Sequence, residues 1–457
     1  MDATALRAEV SRVADELKVP GVSVGVLIGG EEHYAFHGVT SVENPLPVDE
    51  ATLFQFGSTG KTFTATTVMV LVERGVVSLG EKVRAYVPEL TLRDVEVARE
   101  VTVGHLLNHT AGWEGDAMDD TGEGDDALER FVAAMADLQQ VSPLGAVVSY
   151  NNASLSLAGR VIEKVTGKTF EQAVRELVLD PLKLDQTFFF QNDIMTRRFV
   201  VGHHMKDGEA VVVRPWGLPR GGSPAGGLSA NAHDQLGWAR FHLGDGAPIL
   251  SRSTLDLMKE PTADMVGSAL GDYVGLSWLL RDVGGVRLVS HGGSMIGQHS
   301  EFVMVPERDF AFIAMTNADP NGPEFNKVLQ KWALMHYLGV DDADPVGVRL
   351  ADDELAPYLG EFETIAAWVR IGAAEGQLRI EVELKPEMAE KMAAMGEDVS
   401  VQQPPIEVEI QAGNRDRYIV SGGPAKGMVG YFARDDGGGV IGVNLGGRFA
   451  TRVQVAG

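Results

Sequence analysis

Apolar residues recur at spacings of three and four through Leu6, Val10, Val13, Ala14 and Leu17, which predicts a helix over residues 3–17, broken by Pro20-Gly21. Two runs follow, VSVGVLI (22–28) and HYAFHGVT (33–40), joined across Gly29-Gly30 as in an antiparallel hairpin. After FQFGS, residues 59–74 carry few charges, with Phe63, Val70 and Leu71 on one face and Gly75 where a left-handed cap would sit. A buried helix is expected there. Far downstream, VRLVSHGG (286–293), SEFVMVP (300–306) and FAFIAMTNA (310–318) predict three strands, and EFNKVLQKWALMHYLG predicts a helix. One antiparallel sheet assembled from both ends of this unit, with a mostly helical insertion between, satisfies that order.

At GVDDADPVGVRLADDE (339–354) the composition shifts to a charged, Pro-containing linker, which places a domain boundary between residues 1–345 and 346–457. WVRI, QLRIEVEL, IEVEI, RYIV, MVGYFAR, VIGVNL and FATRVQV then alternate or run apolar between Gly-rich turns, as in a small antiparallel barrel. The fold class expected is α+β with a C-terminal β-barrel. One stretch, KPEMAEKMAAMGEDVSVQQPP (385–405), fits no strand and is expected to be a long loop or helix projecting from that barrel.

Composition narrows the partners. The 457 residues include 64 acidic and 39 basic ones, a net charge of −25 that repels polyanions, so neither nucleic acid nor an anionic membrane is an expected partner. With no cysteine, thiolate metal sites, disulfides and a cysteine nucleophile are excluded. The segment MDATALRAEVSRVADEL lacks the apolar core of a signal peptide, and no run of about 18 apolar residues follows. A cytoplasmic protein, or an exported one already trimmed, is expected.

The stretch FGSTGKTFT (56–64) has two chemical readings. A phosphate-binding loop needs glycine five positions before Gly60, because backbone NH groups there wrap a phosphate; that position is Gln55, and Gly57 comes two residues too late. The other reading is Ser58-x-x-Lys61, a serine at the start of a helix with an amine one turn away. A helix start favours a developing oxyanion, and a neutral lysine base near pH 7 requires a pKa fall of about 3 units by desolvation or neighbouring positive charge. Spacing alone is a weak signal, so the partners decide. SYNNASLSLAGRVIEKVTG (149–167) supplies Tyr150-x-Asn152 at the mouth of a helix whose Leu155, Ala158, Ile162 and Val165 face the core. SHGGS (290–294) supplies a histidine at a strand end and two glycines that allow close backbone approach.

Together with VPGVSVGVLIGG, VTVGHLLNHTAGW and SPAGGLSANAHD in that order, these motifs make about 345 residues resemble the penicillin-recognising serine hydrolases. The resemblance is to the class C β-lactamase-like branch, which also contains DD-peptidases, D-aminopeptidases and esterases. Its third motif, Lys-Thr-Gly in many members, is His291-Gly292-Gly293 here, which lowers the expectation of strong β-lactamase activity. The resemblance implies a β-lactamase/transpeptidase-like sheet and, as in some D-aminopeptidase-like members, a lipocalin-like barrel overhanging the site, with the 385–405 segment restricting substrates. It implies Ser58 as nucleophile, Lys61 as its activator, and Tyr150 as proton carrier. Asn152 would bond Lys61 and a substrate amide, and His291 would sustain the field around Tyr150. The backbone NH groups of Ser58 and Ser294 would hold the oxyanion beside Gly292 and Gly293.

Other residues carry weaker expectations. His105 and His109 are spaced like metal ligands but lack the intervening glutamate of a zinc peptidase, and no metal or organic cofactor is expected. Trp113 is expected either to line the cleft or to pack in the core, and Arg220 either to bind a substrate carboxylate or to form a structural salt bridge. WGLPRGGSPAGGL (216–228) is expected to form a cleft edge. EGDAMDDTGEGDDALE, between Trp113 and Arg130, holds eight acidic residues in sixteen and is either a solvated loop or an attractor for cationic substrates. The expected partner is a small-molecule or short-peptide substrate, an amide or peptide with a D-residue. Ester hydrolysis and acyl transfer are left as alternatives, and a non-catalytic sensor or scaffold as the alternative of another class.

Overall fold

The structure, a computed structural model, describes residues 3–117, 119–214, 216–394, 404–423 and 425–453. Helix α1 (Ala3–Leu17) precedes the hairpin β1 (Gly21–Ile28) and β2 (Glu31–Gly38). The insertion contains α2 (Gly60–Glu73) and α3 (Asn152–Thr166). Strands β3 (Ala263–Ser268), β4 (Gly271–Val274), β5 (Leu279–Val283), β6 (Val286–Met295), β7 (Gln298–Val305) and β8 (Phe310–Thr316) follow, then α4 (Asn321–Ala333). The sheet runs β2-β1-β8-β7-β6-β5-β4-β3 and is antiparallel throughout, with the N-terminal hairpin joined to β8 as the pattern predicts.

Strand β1 lies one strand in from the sheet's edge, but both of its faces are covered, and it reads as a continuous apolar run instead of an alternation. On one face Leu6, Val10, Val13 and Ala14 of α1 pack with Phe325, Leu329 and Ala333 of α4 against Val22, Val24, Val26 and Phe312. The opposite face, through Phe302, Met304 and Ile313, packs on the helical insertion. Helix α2 lies inside that second core with residues 60–71 all buried, which explains an apolar content spread round the whole helix. Each such Val, Leu or Phe contributes about 1.5–3 kcal/mol by burial. Gly75 adopts φ +71° just past the end of α2, as expected.

The barrel comprises β9 (Gly360–Glu363), β10 (Ala367–Ala374), β11 (Gln377–Leu384), β12 (Ile406–Gln411), β13 (Asn414–Val420), β14 (Val429–Arg434), β15 (Val440–Leu445) and β16 (Arg448–Arg452). Each strand pairs with the next and β16 with β9, closing an eight-stranded antiparallel barrel over a core that includes Phe362, Ile371, Ile380, Val408 and Phe432. The sequence pattern missed β9, a four-residue strand of which only Phe362 is buried. Within the 385–405 segment, Pro386–Ala394 is helical, and residues 395–403 lie outside the described ones.

Candidate active site

The turn that carries Ser58 is fixed from several sides. Phe54–Gln55 pairs with Ser229–Ala230, Gln55 N donates to Gln298 Oε1 (2.9 Å), and Ser300 Oγ donates to Phe56 O (2.8 Å). Gly57 sits at φ +53°, where a Cβ would lie 2.8 Å from Ser294 N and 2.7 Å from Ser294 O. Only glycine allows that contact, which sets the backbone at Ser58 beside that of Ser294. A Cβ on Gly293 would likewise fall 1.9 Å from Phe56 O. Ser58 then occupies a single 3-10 turn (Gly57–Thr59) leading into α2, at the positive end of the helix.

Lys61 is fully buried one turn further on, and its Nζ donates to Ser58 Oγ (3.1 Å) and to Ala225 O (2.6 Å). Among the described residues no carboxylate forms an ion pair with it; burial first, and then the Arg448 charge, hold its pKa well below that of an ordinary lysine, against a smaller opposing effect of Asp116. Tyr150 precedes α3, whose start is capped by Asn151 Oδ1 accepting from Ser154 N (2.8 Å). Its hydroxyl is hydrogen-bonded to Ser58, and Lys61 Nζ lies 4.8 Å from its ring centre. Burial raises the Tyr150 pKa above the usual phenol value, with Ser58 and Arg448 opposing, so the resting side chain is a phenol.

The barrel enters this site. At the β15–β16 turn, Gly447 O accepts from Tyr150 N (2.9 Å), and Phe449 N donates to Ser149 Oγ (3.3 Å). Arg448, between them, places its guanidinium 4.9 Å from the Tyr150 ring centre and forms a two-point ion pair with Asp116 (Nε–Oδ2 3.0 Å, Nη2–Oδ1 3.1 Å). Asp116 also accepts from Asn152 Nδ2 (2.9 Å). Asn152 therefore bonds Asp116, not Lys61 as expected, because Lys61 is already directed at Ser58 and Ala225. Neither Arg448 nor Asp116 was singled out by the sequence; Asp116 lies in the acidic segment, but its partner comes from the other end of the chain.

Two histidines flank Tyr150. His109, at φ +60°, accepts from Asn151 N at Nδ1 (3.2 Å) and packs 4.6 Å from the Tyr150 ring, so the HLLNHTAGW turn lies beside the site. His291 is buried with ring centres 6.1 Å from Tyr150, and its Nδ1 faces Gly292 O at 2.6 Å. It sits within β6, which continues to Met295, and not at a strand end. Burial and the nearby Lys61 push His291 down to about 3, so the ring is neutral. The field at Tyr150 expected from His291 is supplied by the Arg448 charge.

A cleft of about 560 Å³ joins Ser58, Tyr150, Asn152, His291, Gly292, Gly293, Ser294 and Arg448. Its edge includes Leu218, Pro219, Gly222, Ala225 and Gly226, as WGLPRGGSPAGGL suggested, and Ala117 and Asp119 of the acidic segment border it. Trp113 and Arg220 are not among the lining residues. Trp113 is buried in the insertion core. The Arg220 guanidinium is consumed by Glu171 (3.0 and 3.1 Å), Asp125 (2.9 Å) and Glu123 O (2.7 Å), leaving nothing for a substrate carboxylate. Among the described residues, no group of three or more His, Asp or Glu side chains is arranged to hold a metal. His105 instead closes a capping box with Thr102.

A half-buried serine hydrogen-bonded to a buried lysine and a buried tyrosine, beside an antiparallel sheet with a helical insertion, defines a serine hydrolase of the β-lactamase type. The family model described as Beta-lactamase matches residues 6–334, and the chain belongs to that family. Penicillin-binding protein 4 of Amycolatopsis lactamdurans is 36% identical over 311 residues, covering 66% of this chain and 82% of the relative. Two solved structures share the fold: SurE (24% identity, TM-score 0.78, 99% of both chains; TM-score 0.75 for its structure with D-Leu), and the octameric penicillin-binding protein homologue from Pyrococcus abyssi (21%, TM-score 0.68, 98% and 99%).

Proposed function

We propose that the protein hydrolyses a small amide or peptide carrying a D-residue, through an acyl-enzyme on Ser58. The observation that carries this reading is the buried, carboxylate-free Lys61 at 3.1 Å from Ser58 Oγ. With Nζ neutral, the Ser58 hydroxyl donates its proton to Lys61 as Oγ attacks the carbonyl carbon. The oxygen that gains charge faces the backbone at Ser58 and Ser294. Tyr150, held as a phenol, gives its proton to the leaving nitrogen and regains one from protonated Lys61; the C–N bond breaks and a neutral amine departs. Water then repeats the sequence in reverse order of proton flow, releasing the acid and restoring Ser58. Arg448 favours both steps by opposing protonation of Lys61 and stabilising negative charge on Tyr150, while through Asp116 it fixes the Asn152 amide at the cleft wall.

D-stereochemistry is supported by SurE, similar over 99% of both chains, having been solved with D-Leu. The test is hydrolysis of D-alanyl p-nitroanilide and its L-isomer beside a short-chain p-nitrophenyl ester, with Ser58→Ala as blank. Ser58-dependent turnover of the D-anilide above the L-anilide is expected; turnover of the ester alone would replace the peptidase reading with an esterase or acyltransferase.

A further inference from the structure

The cleft is lined by residues from both faces of the sheet at β6 and β7, His291 and Glu301 among them. Pairing sets His291 opposite Phe302 and Gly292 opposite Glu301, so by alternation Gly292 and Glu301 share the sheet face of Val303 and Val305, the face covered by α4. Glu301 and Asn326 of α4 nevertheless line the same cleft as Ser58. Beyond Ser290, β6 has no β5 partner, which opens its edge, and glycine at 292 keeps that edge bare: a Cβ there would lie 3.3 Å from Glu301 Oε2.

Both groups lack a protein partner suited to them. The Glu301 carboxylate makes no hydrogen bond or ion pair among the described residues. The cation acting on it, Arg281, is held by Asp342 through two bonds (2.7 and 2.6 Å). Asn326 is 3% exposed and its Oδ1 accepts nothing. A buried oxygen left this way, as Asn326 Oδ1 is, is costly unless a ligand satisfies it, and the half-buried Glu301 carboxylate faces the same cleft. Burial pushes the Glu301 carboxyl up to about 7, opposed by Arg281. Two acceptors lining one cleft, one of them a carboxylate, match a cationic donor, and two oxygens are too few for a metal cage.

We propose that Glu301 and Asn326 form a subsite for an ammonium group of the substrate, reached past Gly292. This subsite rests on the Ser58 hydrolase reading and narrows its substrates to amides or peptides bearing an amine. Turnover of p-nitrophenyl acetate by the full chain serves as the reporter, with two matched pairs of competitors. D-alaninamide against D-lactamide tests an α-ammonium; N-acetyl-D-lysinamide against N-acetyl-D-norleucinamide tests a side-chain ammonium. In at least one pair the cationic member is expected to inhibit with a Ki tenfold or more below its neutral partner. Glu301→Gln is expected to bring the two values together, and Asn326→Leu to narrow the gap; the neutral member controls for misfolding in each variant. Equal Ki values in both pairs, or a gap that survives both substitutions, would overturn the subsite alone. Absence of Ser58-dependent turnover would overturn the hydrolase reading and the subsite with it.

Discussion

Removing the Arg448 charge tests the electrostatic account of Lys61 and Tyr150. The guanidinium lies 4.9 Å from the Tyr150 ring centre, and two unit charges at that separation interact by about 3 kcal/mol at an effective dielectric of roughly 20. Asp116, bonded to the same guanidinium, cancels much of this, leaving on the order of 1 kcal/mol, close to one pKa unit. The sign follows from Lys61 acting as a neutral base: activity is lost as pH falls through its pKa, and Arg448 holds that pKa down. Arg448→Met leaves Asp116 uncompensated, so Lys61 becomes easier to protonate, and if the guanidinium acts on Lys61 as strongly as on Tyr150 the acid limb of kcat/KM against pH should move upward by about one unit. On the acid side of both limbs the fall should be about tenfold, and it should shrink as pH rises above them. His109 and His291, buried beside Tyr150 and held neutral, change charge only further into the acid range. The double variant Asp116→Asn/Arg448→Met removes both charges and should return most of the shift. Profiles with a p-nitrophenyl ester decide the matter: an Arg448→Met limb that stays at the wild-type position, even with lower activity, would refute the reasoning.

Three further outcomes are expected. Ser58→Ala should lower turnover of any accepted substrate by at least a thousandfold, and residual turnover within tenfold of wild type would place the nucleophile elsewhere. Arg220→Ala should cost about 3–5 kcal/mol of stability in urea unfolding, because it strands Glu171, 6% exposed, without its two-point partner; an unchanged midpoint would show that the ion pair contributes little. Gly293→Ala should lower the Tm and reduce turnover by a hundredfold or more, since the new Cβ meets Phe56 O at 1.9 Å; wild-type values for both would show that the strand edge yields.

The parts of the site legible in the sequence are those set by local geometry. Ser58 and Lys61 are one helical turn apart, Tyr150 stands next to a helix cap, and His291 with two glycines lies on an apolar strand, so short motifs and their flanking periodicity place all four. The barrel was legible as alternating runs between glycine turns. Its docking was not: nothing in the Gly446-Gly447-Arg448 turn tells that it is the one facing Tyr150, and that knowledge needs the three-dimensional position of a separate unit. The same limit explains Arg220, whose partners Glu171 and Asp125 come from different segments, and His291, whose neutrality depends on burial beside Lys61. Glu301 was invisible for a related reason, since its place in the cleft depends on an absent side chain at Gly292, its cross-strand neighbour.

The central claim is a covalent acyl group on Ser58. Intact-mass spectrometry of the protein acid-quenched during turnover of a p-nitrophenyl ester, followed by peptide mapping, measures it directly. The structure predicts an added acyl mass confined to the peptide containing Ser58 and missing in Ser58→Ala. An adduct on another residue, or full turnover by Ser58→Ala, would contradict it.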